Sequence, residues 1–310
     1  MFRAFFAAAV LFMFVQTAFA QSAVPAPLGV QIERDVTYLP PDRAEKLDLY
    51  LPKGPGTGKA RPGIVIIHGG GWEGGSKSAS REFEIGTTLA KAGYVCVSVE
   101  YRTVPKNRWP TNVQDCKNAV RFLRTNATKY NLNPDRIGVI GGSAGGHLAL
   151  MVGLTDSVKA LEPNAPYPGV SDRVQAVVDM YGIADIRTGV RTEKDGTPTS
   201  EARSWNAVFG DHTPVTDTDM ALASPVSHLG PQSPPILILH GTSDTSVDRN
   251  QSIALDRKLE AAKIPHRLIF VPGIGHTFDL ETWNKKPLPV DLRPAVVAFL
   301  DQYLKMAATP

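Results

Sequence analysis

Cysteine is scarce in this chain: Cys96 and Cys116 are the only two, and neither a C-x-x-C pair nor an H-E-x-x-H run is present. Those absences remove the common zinc-site and dithiol signatures. Cys96 falls in an apolar strand pattern and Cys116 on the buried face of a predicted helix, so both read as packed thiols, neither nucleophile nor metal ligand, with a disulfide between them the alternative that export would permit. An excess of one charge is missing as well. Lys and Arg total 33 against 30 Asp and Glu, interspersed along the chain, so neither nucleic acid nor an anionic surface is indicated as a partner. Internal repeats are lacking, and so is any Ser/Gly-rich or charged linker that would divide the chain. No Gly-Lys-Ser/Thr follows a glycine-rich loop, which excludes a phosphate loop. No cofactor and no metal are expected.

Long apolar runs are also few. Residues 4–15 fall short of the roughly 20 that a membrane span needs. Behind Arg3 and ahead of Ala18-Phe19-Ala20, they have the layout of a cleavable leader, residues 1–20, cut near Ala20-Gln21. No cysteine stands at the cut, which argues against a lipoprotein. The expectation is a secreted or periplasmic protein, with residues 21–310 forming one domain.

What is present is alternation. Strand patterns fall at 36–38, 47–51, 64–67, 94–99, 136–139, 174–180, 236–239 and 267–271. Helical patterns intervene at 84–91, 113–123, 147–153 and 251–262, with another at 293–305. Strands separated by helices predict an α/β fold: a mostly parallel sheet covered on both faces, with its site at the carboxyl ends of the strands. Between 187 and 235 the rhythm breaks in a stretch rich in Thr, Pro, Asp and Gly, with one helical candidate at 204–209. It reads as a small cap-like insertion over that edge.

The chemistry clusters at those strand ends. Gly141-Gly142-Ser143-Ala144-Gly145 follows a predicted strand and opens a predicted helix, the sequence form of a nucleophile elbow. The turn is sharp enough to exclude side chains beside it, and it would raise Ser143 Oγ above the sheet at the positive end of the helix. His68-Gly69-Gly70-Gly71-Trp72 follows another strand, and its amides can converge on a developing oxyanion. Gly70 and Gly71 are assigned to that role, with the Ala144 amide completing the oxyanion hole.

A base is needed late in the chain. His276, in a glycine-rich loop after the last strand, stands where the third member of a Ser…Asp…His order belongs. The orienting acid is expected after the strand at 236–239, with Asp244 first and Asp248 second. Asp179 and Asp185 follow an earlier strand, a less usual origin. Of the other histidines, His68 is expected to brace the oxyanion loop, and His147 to be a buried scaffold residue. His240 reads as structural, and His212, His228 and His266 as solvated. Trp72, Trp109, Trp205, Phe209, Phe278 and Trp283 are available to line an aromatic or sugar-facing pocket.

Taken together, His68 to Trp72, Val99-Glu100-Tyr101-Arg102, residues 115–124 and Gly142 to Leu148 resemble α/β-hydrolase esterases of the acetylxylan/feruloyl esterase type. These are relatives of the hormone-sensitive-lipase-like carboxylesterases. Ala223-Ser224-Pro225-Val226, the segment 234–241 and Gln251-Ser252 match too, so the resemblance covers nearly everything from Leu47 onward. It implies the α/β-hydrolase fold, ester hydrolysis through an acyl-enzyme, and Asp244 as the acid. That family usually has Val-Pro shortly after the acid; Val247-Asp248 stands here instead, which keeps Asp248 in competition. Glu100-Tyr101-Arg102 replaces a more familiar Asn-Tyr-Arg, and Arg102 is placed to pair with Asp115. The expected substrate is a small-molecule or polysaccharide ester bearing acetyl or feruloyl groups. The competing readings are an arylformamidase-like amide hydrolase, a general short-chain carboxylesterase, a prolyl-oligopeptidase-like peptidase and a non-catalytic binding protein on the same fold.

Overall fold

Short apolar runs without polar interruption become the inner strands of one sheet, because both of their faces must be covered. The computed structural model describes residues 25–54, 59–188, 209 and 215–305, and the leader lies outside that range. Eight strands form the sheet: β1 (Val30–Val36), β2 (Leu47–Pro52), β3 (Arg61–Ile67), β4 (Val95–Val99), β5 (Leu132–Gly142), β6 (Ala176–Met180), β7 (Ile236–Gly241) and β8 (His266–Val271). Their order is β1-β2-β4-β3-β5-β6-β7-β8. β2 runs antiparallel to both neighbours, and every pair from β4 through β8 is parallel. This is the mostly parallel α/β-hydrolase sheet that the sequence led one to expect.

Alternate residues of each strand supply two separate cores. Val65 and Ile67 of β3 face one, beneath α2 (Thr111–Thr125), α3 (Ala144–Leu154) and α5 (Asn250–Ala261). Ile64 and Ile66 face the other, beneath α1 (Ser80–Lys91) and α6 (Arg293–Leu304). Cys116 belongs to the first core and Cys96 to the second, so the sheet separates the two free thiols. Every residue of α3 is buried, which accounts for its lack of a polar stripe.

Three details depart from the sequence reading. β1 begins at Val30 and ends at Val36, its alternation masked by Glu33, Arg34 and Asp35 on a half-exposed edge. β5 already starts at Leu132, through Asn133-Pro134, which reads as a turn; its register against β3 shifts between Arg61 and Gly63, an irregularity that accommodates a proline. A short helix, α4 (Asp217–Leu222), is closed by a capping box between Thr216 and Asp219. Residues 189–208 and 210–214 of the expected insertion, including Trp205, His212 and most of the helical candidate, lie outside the described residues. Among the described residues no helix is long and apolar enough to cross a membrane.

Candidate active site

Gly142 ends β5 and Ala144 opens α3, leaving Ser143 alone at the turn with φ 59° and ψ −124°. A residue with a Cβ is strained there, and the surroundings hold it in place. The Ser143 amide donates to the Met180 carbonyl at 2.9 Å, and the His147 amide returns to the Ser143 carbonyl at 3.0 Å. A Cβ on Gly145 would run into the Ile67 and His68 carbonyls, and one on Gly141 into the Gly145 carbonyl. The glycines flanking Ser143 are therefore required by backbone contact between β3, β5 and α3.

His276 lies beyond β8 and reaches back to this serine, its Nε2 2.8 Å from Ser143 Oγ. Its Nδ1 is 2.7 Å from Asp244 Oδ2. A carboxylate can only accept, so Nδ1 carries the proton and Nε2 is left to accept from the serine hydroxyl. Asp244 Oδ1 accepts the Ser246 and Val247 amides at 2.8 and 3.0 Å. Burial works to raise its carboxyl, but hydrogen bonds from His240, His276 and the Val247 amide outweigh this and hold it far below the usual carboxylate range. Asp248 takes a different position: its Oδ1 accepts the Asn250 amide at 2.9 Å, at the start of α5. Asp179 likewise turns away, accepting the Gly182 amide at 3.0 Å, and Asp185 pairs with Arg187 at 2.8 Å.

The loop after β3 lies against the serine. A Cβ built on Gly69 would stand 3.3 Å from Ser143 Cβ, and Gly70 and Gly71 adopt φ 115° and 61°. Among the described residues neither the Gly70 nor the Gly71 amide donates a hydrogen bond. Ala144 occupies the first position of α3, where amides have no intrahelical acceptor. His68 stacks on Tyr101 with centroids 4.2 Å apart, and the Tyr101 hydroxyl donates to the His68 carbonyl at 3.0 Å. Arg102 does meet Asp115, with both its Nε and Nη2 at 2.9 Å.

Several side chains have roles that their sequence context does not announce. His240, at the end of β7, is fully buried; its Nε2 is 3.1 Å from the Val247 carbonyl and 3.4 Å from Asp244 Oδ2. Since a carbonyl only accepts, Nε2 carries the proton, and Nδ1 takes the Ser252 hydroxyl at 2.7 Å. His240 thus braces Asp244. Trp283 Nε1 donates to the His276 carbonyl at 2.7 Å, so it supports the histidine from its main chain. Trp72 and Phe278 are buried in the two cores and are not ligand platforms. Trp109 packs on His147 and, at 6.3 Å, on Phe209. His228 and His266 are not simply solvated, since each hydrogen-bonds a backbone carbonyl.

Comparison with known proteins gives consistent results. The family model described as BD-FAE matches residues 47–259. Esterase LipQ of Mycobacterium tuberculosis is 29% identical over 79% of this chain and 57% of its own length. The probable carboxylic ester hydrolase LipM of the same organism is 32% identical over 79% of this chain and 56% of its own. The chain therefore spans a little over half the length of these curated relatives. Among solved structures, a truncated form of a carbohydrate esterase from gut microbiota superposes with a TM-score of 0.76. It is 29% identical, over 89% of this chain and 97% of that one.

Proposed function

The chain belongs to the BD-FAE family, and on that premise we propose that it is a serine carboxylic ester hydrolase acting on acetyl or feruloyl groups carried by carbohydrate. The observation behind this reading is the 2.8 Å approach of His276 Nε2 to Ser143 Oγ, with Asp244 2.7 Å from the other ring nitrogen.

Ser143 Oγ attacks the ester carbonyl carbon as its proton passes to His276 Nε2. Asp244 stays ionised and stabilises the imidazolium. The Gly70, Gly71 and Ala144 amides receive the carbonyl oxygen as it gains charge; one such donor is typically worth about 10²–10³ in rate. The carbon–oxygen bond to the alcohol then breaks, and the alcohol departs with the proton from His276. Water attacks the acyl-enzyme with the same imidazole as base, releasing the acid and restoring Ser143.

The choice of carbohydrate esters is supported by the likeness to a carbohydrate esterase along nearly that protein's whole length. The leader pattern at 1–20 supports export to where such polymers are met. A hydrolysis panel tests the reading: acetylated xylan, methyl ferulate, and short- and long-chain p-nitrophenyl esters, each with the native protein and Ser143→Ala. Release of acetate or ferulate by the native protein alone is expected. Turnover by Ser143→Ala, or labelling by a fluorophosphonate anywhere but Ser143, overturns it.

A further inference from the structure

Building on the reading of His276 as the base, we propose that Tyr181 is a positioning residue of this site, its hydroxyl held by Arg81 so as to fix the imidazole against Ser143. Tyr181 follows β6 directly, is fully buried and has φ 44°. Its amide donates to the Leu239 carbonyl at 2.7 Å, so its main chain is tied to the sheet. From that fixed base the hydroxyl donates to the carbonyl of Phe278, two residues beyond His276, at 2.6 Å. It accepts Arg81 Nη1–H at 3.0 Å. Glu82 pairs with the same guanidinium at 2.6 Å, which leaves no uncompensated buried charge. Burial pushes the phenol up to about 12, against the lowering effect of Arg81, so the hydroxyl stays a donor across the neutral range.

The histidine loop needs such a hold. Thr277 has φ 62°, a left-handed conformation that is costly for a β-branched residue. The carbonyls on its two sides are both anchored, that of His276 by Trp283 Nε1 at 2.7 Å and that of Phe278 by Tyr181. The Tyr181 ring also meets the imidazole edge-on, with centroids 4.8 Å apart and planes at 62°. One side chain therefore limits both the loop and the ring.

The glycine motifs make room for this pair. A Cβ on Gly142 would lie 2.8 Å from Tyr181 Oη and 2.9 Å from Arg81 Nη1. One on Gly69 would lie 3.2 Å from Arg81 Nη2. Arg81 and Tyr181 thus fill the notch left by glycines of the elbow and of the oxyanion loop while holding the histidine loop. A misplacement of about 1 Å in such a site can cost about 10² in rate.

The test is Tyr181→Phe, which keeps the ring and deletes the hydroxyl, assayed on p-nitrophenyl acetate. We expect kcat and the rate of fluorophosphonate inactivation to fall together by about tenfold or more, with KM within about twofold. The far-downfield Nδ1 proton resonance of His276 should shift or broaden. Adding Thr277→Gly, which relieves the left-handed strain, should restore part of kcat. A kcat within twofold of native for folded Tyr181→Phe overturns the proposal. Should that variant fail to fold, Arg81→Gln replaces it under the same criteria. Ser143→Ala separates the two levels: residual turnover there sinks the esterase reading, whereas a dead Ser143→Ala beside a fully active Tyr181→Phe sinks only the positioning role.

Discussion

Trp72 Nε1–H donates to His147 Nδ1 over 3.3 Å, tying the glycine-rich loop after β3 to the buried helix that starts at Ala144. Nδ1 therefore accepts, and Nε2–H donates to the Ala223 carbonyl at 2.8 Å. Burial pulls this imidazole down to about 4, against the raising effect of the carbonyl. In the unfolded chain it protonates near the ordinary value of about 6.5. Between those values the unfolded state binds a proton that the native state excludes. Stability from the neutral ring is thus whole above about pH 6.5 and declines as pH falls toward 4. About 2 kcal/mol should be lost between pH 7 and 5, a component absent from His147→Gln. Urea midpoints of both proteins at the two pH values measure it.

Asp179 acts in the opposite direction. Burial raises its carboxyl to about 7, against lowering by His240 and the Gly182 amide, and among the described residues its Oδ2 has no hydrogen-bond partner. Here the native state keeps a proton that the unfolded chain releases above about 4, so stability falls as pH rises from there to about 7. Asp179→Asn should remove that loss and be more stable than the native protein at pH 8, by the order of 1 kcal/mol or more. Equal urea midpoints at pH 8 would contradict it.

The strain at Ser143 separates two inactive variants. Both Ser143→Ala and Ser143→Gly lose the nucleophile, and turnover should fall by at least about 10⁴. Only glycine adopts φ 59° without a steric cost. Ser143→Gly is therefore expected to be the more stable of the two by about 1 kcal/mol, read from their thermal midpoints.

The two carboxylates competing for the orienting role should part clearly. Asp244→Asn disturbs the tautomer of His276 and should lower kcat by about 10²–10⁴. Asp248→Asn keeps a side-chain oxygen to accept the Asn250 amide, away from His276, and should leave kcat within about twofold. Steady-state kinetics on a soluble acetyl ester distinguishes them.

Much of this site is legible in sequence because backbone proximity dictates it. Gly141, Gly145, Gly70 and Gly71 are fixed by contacts or dihedrals that few other residues accept, and the apolar runs of β3 to β7 have both faces covered. His276 and Asp244 are expected after the last two strands, but position alone leaves Asp248 in competition until the 2.7 Å contact of Asp244 with His276 is seen. Arg81 and Tyr181 leave no such trace, since they meet only after the chain has folded across 100 residues. His240 looks like any strand-end histidine until Val247 and Ser252 are seen around it. β1 was obscured for another reason, its charged residues being those of an edge strand with solvent on one side.

The serine and the histidine belong to different parts of the molecule in one further respect. Ser143 is hydrogen-bonded into the central sheet through its own amide, whereas His276 rides on a loop fastened by side chains to its backbone carbonyls. Segments outside a sheet ladder commonly open at a lower free energy than the strands, and the loop is expected to do so here. On warming, the base should detach from its nucleophile while the strands remain intact. Inactivation should therefore precede melting and reverse on cooling, with amide exchange at 276–283 accelerating before that of β5 and β6.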